Sequence, residues 1–200
     1  ILFGCQSNTS FNYSNSTLLP NASGENNEML IVMDSTKFKG EIGRLLVGTY
    51  GSYIYGLPQP ENNFDLIFIR PRNFNSILKY AKNIVVAFSL EGNSLDSKIL
   101  RKEFNEKSID KIKSDTSIFF FKRKDQYAKG QTILYLFSKT DNELINKIKK
   151  NKKMLLKYFQ NEVSIRTSKK IFSKVEANIS NKIFNDHRIK IKIPFGYDLA

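Results

Sequence analysis

One cysteine, one histidine, no tryptophan and five prolines stand in a chain of 200 residues, and each scarcity removes a class of protein. A single cysteine, Cys5, cannot close a disulfide within the chain, which excludes a disulfide-stapled scaffold. With His187 as the sole histidine, neither a multi-histidine metal centre nor a Cys/His zinc cluster can be assembled. No metal and no cofactor is therefore expected. The sequence also lacks a Gly-rich phosphate cradle and a G-x-S-x-G nucleophile elbow. Its apolar runs fall short of the ~18 residues a membrane-spanning helix needs. Any membrane link must then come from something other than a transmembrane helix.

What is present is enough for a packed core: 40% of residues are hydrophobic and 12% aromatic. Charge is lopsided, with a net +13 and a pI near 9.7. That balance invites a nucleic-acid partner, but the basic residues are 25 Lys against 7 Arg, beside 20 Asn, 22 Ile and 16 Phe. Lys, Asn, Ile and Phe share A/T-rich codons, so drift in an A/T-rich genome accounts for the bias. Phosphate clamps and base readers favour the planar fork of Arg. The lysines are read as solvated helix faces, and no specific nucleic-acid affinity is expected.

The lone cysteine carries the sharpest signal. Leu2-Phe3-Gly4-Cys5 has the form of the box that ends a bacterial lipoprotein signal, with Leu2 and Gly4 in the positions read by the signal peptidase. Only a thiol can form the thioether to diacylglycerol, and a small residue fits the cleavage point. The polar tract that follows, Gln6 to Asn15, suits a solvated spacer between bilayer and fold. Stable anchoring takes about two acyl chains, which a diacylglyceryl group supplies. Residues 1–4 thus read as a signal-peptide remnant, 5–17 as lipidated cysteine plus tether, and 18–200 as one globular domain.

Along that domain, Glu28 to Asp34 reads as a buried strand and Phe38 to Tyr50 as a helix with Ile42, Leu45, Leu46 and Tyr50 on one face. Phe64 to Arg70 alternates like a strand, Asn73 to Tyr80 reads as a short helix, and Ile84 to Phe88 as a second buried strand. A charged stretch to Asp115 is helical in part, around Ile99 to Phe104. Ser117 to Phe121 and Thr132 to Phe137 read as two further strands. Thr140 and Glu143 form a capping box for a helix to about Asn161. A second helix, Ser168 to Phe184, carries Phe172, Val175, Ile179 and Ile183, and Ile189 to Pro194 closes as a strand. These elements predict an α+β chain with an α/β-like first half, built on a mixed sheet of five to six strands covered by helices.

Several stretches together resemble an uncharacterised lipoprotein family of Bacteroidota, domain of unknown function 4837. They are Leu19-Pro20-Asn21-Ala22-Ser23-Gly24, Glu28 to Asp34, Leu57-Pro58-Gln59-Pro60-Glu61 with Phe64-Asp65, Asn83-Ile84-Val85, Tyr127-Ala128-Lys129-Gly130-Gln131, and Ile193-Pro194-Phe195-Gly196-Tyr197. Tyr127 stands where that family has tryptophan. The resemblance implies an envelope lipoprotein whose members run longer, with this chain as the N-terminal portion, and it carries over no catalytic residue. It also implies that acidic residues after the cysteine mark export to the cell surface. Gln6-Ser7-Asn8-Thr9 is neutral, so an outer-membrane protein facing the periplasm is expected.

Candidate chemistry is sparse, and no catalytic residue is assigned. Asp34, Glu61 and Asp65 are the carboxylates that could pair as acid and base, yet Asp34 and Asp65 fall at opposite ends of their strands. Asp34-Ser35-Thr36 reads as a helix cap, and His187 between Asp186 and Arg188 as a solvated junction residue. The best interaction candidate is the loop Leu57, Pro58, Gln59, Pro60 and Glu61, pre-ordered by its prolines and flanked by the rings of Tyr53, Tyr55 and Phe64. A rigid connector explains the same residues. Tyr127 to Gln131 is a second loop with an aromatic, a lysine and a glycine. The expectation is a lipid-anchored structural or binding module with an envelope protein partner; a carboxylate-dependent envelope hydrolase and a basic nucleic-acid binder are the alternatives.

Overall fold

The computed structural model describes residues 18–198. Five strands build one sheet: β1 (Glu28–Met33), β2 (Asp65–Ile69), β3 (Asn83–Ser89), β4 (Phe120–Lys124) and β5 (Thr132–Ser138). Their order is β2-β1-β3-β5-β4, with β2, β1, β3 and β5 parallel and β4 antiparallel at one edge. The mixed five-stranded sheet with helices on it is the α+β architecture expected from the sequence.

The two central strands, β3 and β5, are buried at every position, as strands covered on both faces must be. On one face, α2 (Glu41–Tyr50) and the 31-residue α5 (Asp141–Ile171) press Ile42, Leu46, Tyr50, Leu144, Ile148, Leu155 and Phe159 onto Met29, Ile31, Val85 and Leu134. On the other face, α3 (Leu95–Lys102) and α4 (Glu106–Ser114) bring Leu100 and Ile112 to Val32, Val86, Phe88 and Phe137. The outer strand β4 ends in exposed Lys122, Arg123 and Lys124, charges that discourage edge-to-edge pairing.

Several boundaries differ from the sequence reading. The first helix is broken at Gly40 into α1 (Ser35–Lys39) and α2. The reason lies in close packing: a Cβ on Gly43 would overlap the Phe38 carbonyl, so the two short helices meet backbone to backbone. Residues 71–80 form two 3-10 turns, Pro71–Asn73 and Leu78–Tyr80, instead of one helix. The strand expected at Ser117 to Phe121 is β4, displaced toward the chain end. The Thr140 cap is present, accepting from Glu143 N at 3.2 Å, but α5 continues past Asn161 to Ile171 because nothing there breaks it. The expected helix from Ser168 to Phe184 is therefore split, with α6 spanning Ala177–His187. Ile189 to Pro194 is no sheet strand; it meets the chain before α6 through a bridge from Pro194 to Val175 and a bond from Glu176 N to Ile193 O (3.0 Å).

Candidate functional site

In an open parallel sheet, the loops after the strands part where chain order reverses, and a crevice opens at the carboxyl ends. Here β1 has β2 on one side and β3 on the other, which puts the reversal at β1. The segments that leave β1, β3 and β5 supply small and charged residues to this end: Asp34 to Lys37, Ser89 to Ser97, and Ser138 to Asp141.

Asp34 is the hub of the crevice, buried at 3% exposure. One carboxylate oxygen accepts from Thr36 N (2.7 Å), Thr36 Oγ1 (2.5 Å) and Lys37 N (3.4 Å), which caps α1. The other accepts from Ser94 Oγ and from Ser97 Oγ (3.2 Å), at the start of α3. Burial pushes the Asp34 carboxyl up, but the hydrogen bonds from Ser94, Thr36 and Lys37 outweigh it and hold the group at about 2. Beside it, Lys37 Nζ donates to Ser89 Oγ at 2.6 Å and pairs with Asp141 at the first turn of α5. Glu91 accepts from Asp141 N (2.7 Å), and Arg101 donates to the carbonyls of Leu90 and Gly92. At the rim, Arg72 grips Asp96 with two bonds of 2.9 and 3.1 Å.

The side chains of Asp34, Lys37, Ser89, Ser94, Ser97 and Asp141 are thus engaged by one another across three loops. A general base needs a free lone pair and a pKa near the working pH. Asp34 has five donors on it and sits far below that range. Lys37 Nζ is shared between Asp141 and Ser89. The groove beside them, lined by Thr36, Lys37, Gly40, Glu41, Ile42 and Asp141, encloses about 240 Å³. Ligand pockets begin at about 300 Å³. A broader concavity of about 600 Å³ between α3 and α4 sets Lys98, Arg101, Lys102 and Lys113 against Glu106 and Asp110, the mixed charge of two solvated helix faces. Among the described residues no group of three or more His, Cys, Asp or Glu could hold a metal ion.

Of the residues singled out from sequence, Cys5, Leu2 and Gly4 lie outside the described residues. Asp34 caps α1 as read, and Asp65 opens β2 at the other end of the sheet, its Oδ2 accepting from Asn27 Nδ2 (2.7 Å). His187 ends α6 in solvent. Leu57 to Glu61 form an exposed loop between α2 and β2, pinned at its base where Ile54 N donates to Glu61 O (2.8 Å). Tyr53 and Tyr55 stand exposed beside it, whereas Phe64 turns inward and packs edge-on to Tyr50 and Phe159.

Tyr127 to Gln131 is less open than its composition suggests, because Ala128 and Gln131 are buried. Gln131 Nε2 donates to the carbonyls of Lys79 (2.5 Å) and Ala81 (2.8 Å), and Lys129 exchanges backbone bonds with Pro20 (2.7 Å) and Ala22 (2.9 Å). The loop clasps the segment that enters the fold, so two of the stretches that carry the family resemblance are bonded to each other. Sequence reasoning missed Lys37, Ser89, Ser94, Ser97 and Asp141 as a cluster. Small polar residues immediately after buried strands were the available signal.

A family model described as Domain of unknown function (DUF8532) matches residues 22–172, which cover the whole sheet and α5. It is a different family from the one the sequence resembles. No curated protein and no solved structure matches the chain.

Proposed function

We propose that this chain, which belongs to the DUF8532 family, works as a non-enzymatic structural or binding module of the bacterial cell envelope, held to a membrane by a diacylglyceryl lipid on Cys5. The observation that supports a module over an enzyme is the crevice: its carboxylate, ammonium and hydroxyl groups are spent on joining three loops. Anchoring is supported by the Leu2-x-Gly4-Cys5 box and the polar tract behind it. The neutral residues after Cys5 favour an outer-membrane position facing the periplasm. An alkyne fatty acid fed to cells should label the wild-type precursor and miss Cys5→Ser, and protease added to intact cells should leave the domain uncut. Equal labelling of both forms contradicts the anchor.

The exposed Leu57 to Glu61 loop is the proposed contact for an envelope protein partner. Two prolines fix its shape before binding and so lower the ordering cost of association. Pro58→Ala with Pro60→Ala should lower stability by about 1 kcal/mol per site or less, and the folded variant should lose partners that co-purify with the wild type. Identical pull-downs from both would leave the loop as a connector.

A further inference from the structure

We infer that residues 172–198 form a basic, apolar arm that docks on an anionic phospholipid surface. Helix α5 begins beside the carboxyl ends of the strands and runs back along the sheet. By Arg166 it has reached the opposite end: this guanidinium bonds Asn83, the first residue of β3, and the Gly130 carbonyl (3.2 Å) just before β5. Past that point the helix overhangs the sheet, and the chain closes on itself. Glu176 N donates to Ile193 O (3.0 Å), Phe195 N to Lys174 O (3.2 Å), and Gly196 N to Glu176 Oε1 (2.9 Å). No residue of α6 is buried.

Two properties of the arm point to a bilayer. First, several of its apolar residues face outward. Ile189 and Ile191 are 56% and 50% exposed, and Phe195 and Tyr197 are each 66% exposed. The intervening Lys190 and Lys192 lie over the arm's own rings, Phe184 and Phe172. Lys190 and Lys192 are themselves exposed, so isoleucines and lysines share one solvent-facing surface. Second, residues 172–198 carry five Lys and Arg against three Asp and Glu, with Arg188, Lys190 and Lys192 interleaved among the exposed isoleucines. Apolar anchors flanked by basic side chains are the chemistry of elements that lie in the headgroup region of anionic lipid.

Placement agrees. The chain enters the fold at this same end, where Asn26 Nδ2 donates to Thr167 Oγ1 (3.3 Å) and Pro20 is bonded to Lys129. A tether running back from residue 18 to a lipid on Cys5 would therefore bring the arm, and not the crevice, toward the bilayer. This last point rests on the anchored reading; exposure and charge do not. The arm from 173 onward also lies beyond the family match, which ends at residue 172.

The test uses the full chain as Cys5→Ser, so that no lipid contributes. Because the sequence has no tryptophan, Phe195→Trp supplies a single reporter at the arm. On titration with phosphatidylglycerol/phosphatidylcholine vesicles at near-physiological salt, its emission should shift to the blue, and the protein should co-sediment. Pure phosphatidylcholine should do neither. Lys190→Gln with Lys192→Gln, and separately Ile191→Ser, should each weaken vesicle partition at least tenfold with an unchanged melting temperature, since all three side chains are exposed. Absence of binding to the anionic vesicles, or binding that these variants leave intact, overturns the proposal. So does a dimer that Ile191→Ser dissolves in place of vesicle binding, which would make a second copy the occupant. Preference for duplex DNA over vesicles at that salt likewise overturns it. Fatty-acid labelling of Cys5 in cells reads the anchor separately, so either idea can fail alone.

Discussion

At the scale of single residues, Asp34 sets the balance between structure and chemistry. A carboxylate at the end of the first strand of a parallel sheet occupies the place where such folds commonly hold ligands. In this chain it instead gathers donors from Thr36, Lys37, Ser94 and Ser97. A folded-state pKa of about 2, below the usual 3.8, means that the charged form is favoured by folding. The stabilisation is therefore complete above the unfolded value and lost as pH falls from about 4 toward 2, and is worth about 2 kcal/mol. Asp34→Asn should cost about that much at neutral pH, and its stability should fall less steeply than the wild type's between pH 4 and 2. Urea melts across that pH range check this. A variant as stable as the wild type at pH 7 would remove Asp34 from its structural role.

At the scale of elements, the legible parts were those with a local signature. Strands β1, β3 and β5 announce themselves as short Ile/Val/Leu runs, and the start of α5 by a Ser/Thr-x-x-Glu cap, because those signals sit within a few residues of the structure they specify. The end of α5 was not legible. From 161 to 171 the chain has no glycine or proline, so periodicity alone offered two helices where one continues. The crevice cluster was hidden for another reason: Asp34 meets Ser94 across 60 positions, and Lys37 meets Asp141 across 104. The splitting of the expected Ser168 to Phe184 helix, which leaves Val175 outside any helix, carries a prediction. Leu155 is fully buried, whereas Val175 stands 39% exposed in the arm. Leu155→Asp would bury an unpaired charge and should abolish folding, a loss above about 4 kcal/mol. Val175→Asp should shift stability by no more than about 0.5 kcal/mol. Thermal melts of the two variants decide it, and an unfolded Val175→Asp would return the arm to the core.

At the scale of the whole molecule, the two ends of the sheet divide the work. The carboxyl ends of the strands are laced shut by side chains from three loops. The other end receives the incoming chain, clasped by Lys129, and carries the overhang of α5 with its basic arm. A membrane on that side leaves the crevice end facing away from the lipid. The central claim, an anchored module, is tested most directly by mass spectrometry of the N-terminal peptide from protein purified out of membranes. The peptide should begin at Cys5 and carry a diacylglyceryl group on its thiol. An unmodified Cys5 within a peptide that continues through Gly4 and Leu2 would contradict the account.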